Sequence, residues 1–110
     1  MTRLAPPPRS PNCVSSRAKP TDRLHYVAPL VQTTLDRIRS VVTAMPRTEI
    51  IEESADYIHF VFKTAFFGFQ DDVEFERDGA VIHVRSASRV GYGDLGTNRR
   101  RVESIRRALA

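Results

Sequence analysis

The chain has 110 residues, 41% of them hydrophobic and 27% charged, the composition of one globular domain. A chain of this length buries roughly 60% or a little more of its unfolded surface, enough for one core without a disulfide or a structural metal. Its one cysteine, Cys13, excludes an internal disulfide and every multi-cysteine zinc site. No apolar run approaches the roughly 18 residues of a membrane span, and the opening Met1–Ser10 has no apolar signal-peptide core, so the chain reads as soluble and cytoplasmic as written. The net charge of +4 divides into +6 over residues 1–47, −7 over 48–78 and +5 over 79–110. Such blocks describe complementary surfaces within one fold, and the acidic middle argues against a uniformly basic nucleic-acid face.

Residues 1–11 contain Pro6, Pro7, Pro8 and Pro11 and read as a flexible Pro-rich arm that packs little; residues 12–110 then form a single domain. From Asn12 to Val27 no helical period appears, and Pro20 would break one, so an ordered loop pinned by Val14, Leu24 and Tyr26 is expected. Pro29 suits the first turn of a helix in which Val31, Leu35, Ile38, Val42 and Met45 recur at three- and four-residue spacing, ending before Pro46. Four strands come next. Ile50-Ile51 marks the first, with its facing ambiguous; Tyr57–Thr64, Asp71–Arg77 and Ala80–Ala87 are the others. In the second, Ile58, Phe60 and Phe62 alternate with Tyr57, His59, Val61 and Lys63; in the third, Val73 and Phe75 alternate with Asp72, Glu74 and Glu76. Asp78-Gly79 reads as a two-residue hairpin turn that sets Phe75 against Ile82, Val73 against Val84, Glu74 against His83 and Asp72 against Arg85. A glycine-rich loop then leads to a last helix with Val102, Ile105 and Leu109 on its apolar stripe. The expected architecture is α+β, a four-stranded antiparallel sheet with an N-terminal and a C-terminal helix packed on one face.

The run Arg85-Ser86-Ala87-Ser88-Arg89-Val90-Gly91-Tyr92-Gly93-Asp94-Leu95-Gly96-Thr97-Asn98-Arg99-Arg100-Arg101 resembles the signature of the family catalogued as domain of unknown function 1499. Phe67-Gly68-Phe69-Gln70-Asp71-Asp72-Val73-Glu74-Phe75 and Pro11-Asn12-Cys13-Val14-Ser15-Ser16 resemble it too. The family pattern carries Ser where Gly93 stands and Pro where Ala65 stands. The resemblance implies bacterial or plastid relatives, often behind a membrane anchor or export signal, and no established activity.

Gly91-Tyr92-Gly93-Asp94-Leu95-Gly96 matches G-x-G-x-x-G between a strand and a helix. A dinucleotide fold needs a second parallel strand and an acidic residue about 20 positions on. Only fourteen residues come after Gly96, so these glycines serve a tight loop. Thr97 or Asn98 is placed to cap the last helix, and Arg99, Arg100 and Arg101 then fall in its first turn, beside the positive end of the helix dipole. They call for an anion: either Asp71, Asp72 or Asp94 from within, or a bound phosphate, carboxylate or acidic partner. The sheet face away from the core gathers His59, Lys63, Asp72, Glu74, His83 and Arg85, read as a solvated charged face, with a metal site or an acid–base pair as the chemical alternative. Cys13 reads as a packed thiol, or as a nucleophile if His25 or His59 reaches it. Phe66, Phe67 and Phe69 read as core plugs, or as an exposed tip that docks to a membrane or partner.

The functional expectation is a non-enzymatic module binding an anionic group or protein partner through Ser88, Arg89, Tyr92, Arg99 and Arg100, with no cofactor, no metal and no catalytic residue assigned. The alternatives are a hydrolase using Cys13 or the His59/His83 face, and weak nucleic-acid binding by the last helix, to which Arg106 and Arg107 add charge.

Overall fold

A computed structural model of the chain describes residues 2–91 and 93–110. Among these, the elements in chain order are β1 (Cys13–Ser15), β2 (Leu30–Val31), α1 (Leu35–Thr43), β3 (Thr48–Ser54), β4 (Tyr57–Lys63), β5 (Gln70–Asp78), β6 (Val81–Ser88) and α2 (Thr97–Leu109). The class is α+β as expected, but the antiparallel sheet has six strands, not four. Its order is β1-β6-β5-β4-β3, and β2 also pairs with β6, so β1 lies along one half of that edge and β2 along the other. At three and two residues, β1 and β2 are too short to carry a readable period of two.

β2 also shortens the first helix. Leu30 pairs with Ile82 and Val31 with Val81, so Pro29 precedes a strand and does not open a helix. α1 starts at Leu35, where the Thr34 hydroxyl caps it by accepting the Arg37 amide at 3.1 Å. Its buried face is Leu35, Ile38 and Val42, with Val41 and Met45 packed against the core more loosely.

The β5–β6 hairpin forms, with a register two residues from the expected one. Asp78 opposes Val81, Phe75 opposes Val84, Glu74 opposes Arg85 and Glu76 opposes His83. The turn residues are Gly79 and Ala80, and of the two only Gly79 has positive φ, at 60°. A single glycine at the first central position satisfies a type II′ turn, whereas an Asp78-Gly79 type I′ turn requires positive φ at both. A slip of two leaves every side chain on its face, so the apolar set stays inside.

Ile58, Phe60, Phe62, Val73, Phe75, Ile82 and Val84 line the core face, and both helices pack there through Ile38, Val42, Val102, Ile105 and Leu109. Phe60 and Phe75 meet edge to face at 5.9 Å. The edge strand β3 resolves the ambiguity of Ile50-Ile51: the register shifts between Ile50 and Glu52, so Ile51 is the extra residue of a bulge and turns outward. That bulge, with Glu49, Glu52 and Glu53, blunts the exposed edge.

The far face is partly covered. The Thr2 hydroxyl and the Arg3 amide both donate to the Glu76 carboxylate, the Arg3 guanidinium lies 3.8 Å over the Tyr57 ring and pairs with Glu52, and Leu4 is buried. The start of the arm, expected to pack little, is therefore in contact with the sheet. The bulge carries a testable consequence. Ile51→Lys changes stability by under about 0.5 kcal/mol, whereas Ile58→Ala on the core face costs about 2–5 kcal/mol, both read as shifts in the urea midpoint at constant slope.

Candidate functional site

The block at the start of α2 resolves residue by residue. Gly96, in the left-handed region at φ 79°, is the N-cap and offers no side chain, so neither Thr97 nor Asn98 caps the helix as expected. Asp94 does so from two residues earlier: its carboxylate accepts the amides of Gly96 at 2.8 Å and Asn98 at 3.1 Å. Burial opposes the charge on Asp94, but those bonds and the Asn98 side-chain amide outweigh it and hold the carboxyl below its ordinary range. The dipole of α2 is thus answered from within the loop.

Asn98 is fully buried. Its Nδ2 faces the Asp94 carboxylate at 2.6 Å, the Ser88 hydroxyl at 3.0 Å and the Asn12 carbonyl at 3.1 Å, while its Oδ1 accepts the Ser86 hydroxyl at 2.6 Å and Arg101 at 3.0 Å. Arg99 donates to the carbonyls of Tyr26, Arg23 and Leu24, stapling the loop between β1 and β2 to the helix. Arg100 is exposed and donates to the Leu95 carbonyl at 2.7 Å. Arg101 pairs with the buried Asp71 at 2.8 Å and covers the Phe62 ring. The anion these arginines called for is Asp71 for Arg101 alone; Arg99 and Arg100 are held by carbonyls.

Of the other expected contact residues, Ser88 is committed to Asn98, and Arg89 to Asp72 through two bonds of 2.9 Å and to Gln70. Hydrogen bonding by Arg89 and His59 holds the Asp72 carboxyl below its ordinary range against the cost of burial. Tyr92 lies outside the described residues.

Among the described residues the thiol–histidine and metal alternatives do not assemble, while the sheet face does bring one imidazole, His59, to a carboxylate, Asp72. Cys13 is completely buried, burial pushes its thiol pKa up, and among the described residues its one hydrogen bond is to the Val14 carbonyl at 3.8 Å. His25 sits between the Asp22 carboxylate at 2.8 Å and the Ser10 carbonyl at 2.9 Å. His59 meets Asp72 at 2.7 Å, and His83 meets the Ser16 hydroxyl at 2.8 Å, so each imidazole is committed to a partner other than the thiol. Burial and the charge of Arg17 lower the pKa of His83. No group of three or more His, Cys, Asp or Glu among the described residues is arranged to hold a metal.

The aromatic loop lies outside the core, contrary to the expectation of core plugs. Phe66 is 95% exposed, Phe67 79% and Phe69 50%, and across from them on the β6–α2 loop Leu95 is 95% and Val90 57% exposed. A cleft of about 570 Å³ runs between the two loops, lined by Phe67, Phe69, Ser88, Val90, Asp94 and Leu95 among others. A neighbouring groove of about 500 Å³ shares Thr64 and Thr97 with it and carries Arg47, Lys63 and Arg100. The opposite end of the sheet holds a cleft of about 640 Å³, but its charges answer one another: Arg17 pairs with Glu76 and Asp78, and Arg77 with Asp56. The alternation of β4 and β5 makes the chain between them look like more core, although Gly68 at φ 67° marks a turn.

Fold and site together define a small α+β domain: a helix-backed antiparallel sheet with two apolar loops facing each other at one end. The chain belongs to the family described as protein of unknown function (DUF1499), whose model matches residues 3–109. Among curated proteins, none matches the chain.

The network has two measurable consequences. Arg99→Ala leaves three loop carbonyls without their donor and costs about 1–3 kcal/mol in urea unfolding. Asp72, Glu76 and Asp94 all titrate below their ordinary values of 3.8, 4.5 and 3.8. Glu76 does so because bonds from Thr2, Arg3 and Arg17 overcome its burial. Their contribution is fully present above those ordinary values and is lost as pH falls through the lower folded ones, so the urea midpoint drops on acidification toward pH about 3, and Asp94→Asn flattens that drop.

Proposed function

We propose that this domain is a non-enzymatic binding module for an amphipathic anionic partner. The partner's apolar part enters the cleft between the two loops, and its charge lies beside Arg100 and Lys63, with Ser88 and Arg89 fixing the cleft wall. The exposure of Phe66 and Leu95 carries this reading. A domain of this size gains most from its aromatics when they are inside, and here three of its six phenylalanines stand outside with a leucine and a valine facing them. Leu95 also holds a left-handed backbone at φ 54°, a costly conformation for a side chain that then contributes nothing to the core. Arg99 belongs to the scaffold on this reading, since its donors are committed to carbonyls.

Anilinonaphthalene sulfonate, an apolar ring system bearing one anion, is the matching probe. It brightens and shifts to the blue on the folded chain; Leu95→Ser with Phe69→Ser removes most of that signal, and Arg100→Ala weakens the sulfonate dye but not an uncharged apolar dye. A folded chain that leaves the dye dark, or a signal unchanged in the Leu95→Ser, Phe69→Ser variant, refutes the reading.

A further inference from the structure

We infer that the amphipathic partner is the surface of an anionic lipid bilayer, with the β4–β5 loop as the inserting tip; this rests on the binding-module reading above. Three observations carry it.

The first is that the tip is held in one shape. The Thr64 amide donates to the Phe69 carbonyl at 2.9 Å, the Phe69 amide to the Thr64 hydroxyl at 2.9 Å, and the Gly68 amide to the Thr64 carbonyl at 3.2 Å. These bonds close the base of the loop and fix the shape in which Phe66 and Phe67 are presented, while the amides of Ala65, Phe66 and Phe67, without a partner among the described residues, stay free to bond water at the headgroup level of an interface. Phe67 and Phe69 stack at 5.4 Å, so the apolar surface is pre-formed.

The second is shape. Phe66 and Leu95 protrude almost fully exposed. A rigid protein partner would need a matching hollow for each, whereas a fluid interface accepts both, as it accepts the aromatic and leucine side chains of amphipathic helices.

The third is charge. Lys63 immediately precedes the aromatic loop, Arg47 donates to the Lys63 carbonyl, and Arg100 donates to the Leu95 carbonyl, which places three cations around the tip. Among the described residues none of the three is in an ion pair. Long basic side chains at this level reach anionic headgroups while apolar neighbours go deeper. At the opposite end of the sheet Arg17 and Arg77 are paired with Glu76, Asp78 and Asp56, whereas the cations beside the tip have no carboxylate partner among the described residues. A second copy docked tip to tip about a two-fold axis would bring the same cations face to face, which disfavours self-association here.

The chain has no tryptophan, so Phe66→Trp adds a single reporter at an exposed site. Its emission moves to the blue with vesicles of phosphatidylcholine and phosphatidylserine, moves little with phosphatidylcholine alone, and is unmoved by soluble phosphoserine. In vesicle flotation, Phe66→Ser with Phe67→Ser lowers partition by about tenfold or more. Lys63→Glu and added salt also weaken it, and Arg77→Glu, the same charge change at the far end, does not. Because both phenylalanines are exposed, the double variant keeps the melting temperature of the natural chain. Absent flotation with anionic vesicles, partition unchanged in the double variant, or a blue shift reproduced by soluble phosphoserine overturns the bilayer assignment. A chain that takes up the sulfonate dye at the cleft yet ignores vesicles overturns this inference alone and leaves the binding-module reading standing.

Discussion

One buried amide ties this fold together. Asn98 has no access to solvent, and its side chain joins β6 through Ser86 and Ser88, the chain entering β1 through Asn12, and the loop entering α2 through Asp94. A fully buried polar group is tolerated only when its bonds are made, so the first turn of α2 can sit on the sheet in one position. With α2 held there, Arg101 falls over Phe62 and against Asp71, Arg99 reaches the loop carbonyls, and Arg106 reaches those of Ala28 and Pro29. The two shortest strands are therefore held to the β6 edge partly by arginines of a helix far along the chain.

Much of this was legible where periodicity is long enough to read. β4, β5, β6 and α2 announce themselves by alternation or a helical stripe, and the core they predict is the core observed. What was hidden has a common cause. β1 and β2 are defined by which edge they join, a long-range fact with no local pattern. The hairpin register turned on which residue beside Gly79 completes the turn, a difference of backbone dihedral that leaves both faces chemically unchanged. Asp94 as the cap lay a few residues before the helix, outside the window in which a Ser, Thr or Asn is sought.

The arginine cluster shows why a charge pattern alone does not name a ligand. Three consecutive arginines at a helix start demand compensation, and a sequence cannot say where it comes from. Here it comes from three directions: a buried carboxylate for Arg101, and carbonyls of two different loops for Arg99 and Arg100. A carbonyl is a full partner for a guanidinium, yet it is invisible in a count of charges. The blocks of opposite charge along the chain resolve likewise: the acidic middle is matched by Arg3, Arg17 and Arg39 from the first block and by Arg89 and Arg101 from the last.

The loop end departs from this pattern. Across the sheet most polar groups are paired, the buried Arg85 Nε being an exception, and most large apolar ones are covered; between Lys63 and Gln70, and again at Val90 and Leu95, apolar side chains stand in water and cations stand, among the described residues, without carboxylates. Sequences that fold well are locally consistent, and the exceptions concentrate where something other than folding is being served. The backbone of the aromatic loop closes on Thr64, and its Phe67 and Phe69 rings stack. The loop is internally bonded while contributing little to the core, and the contact surface proposed above rests on that combination.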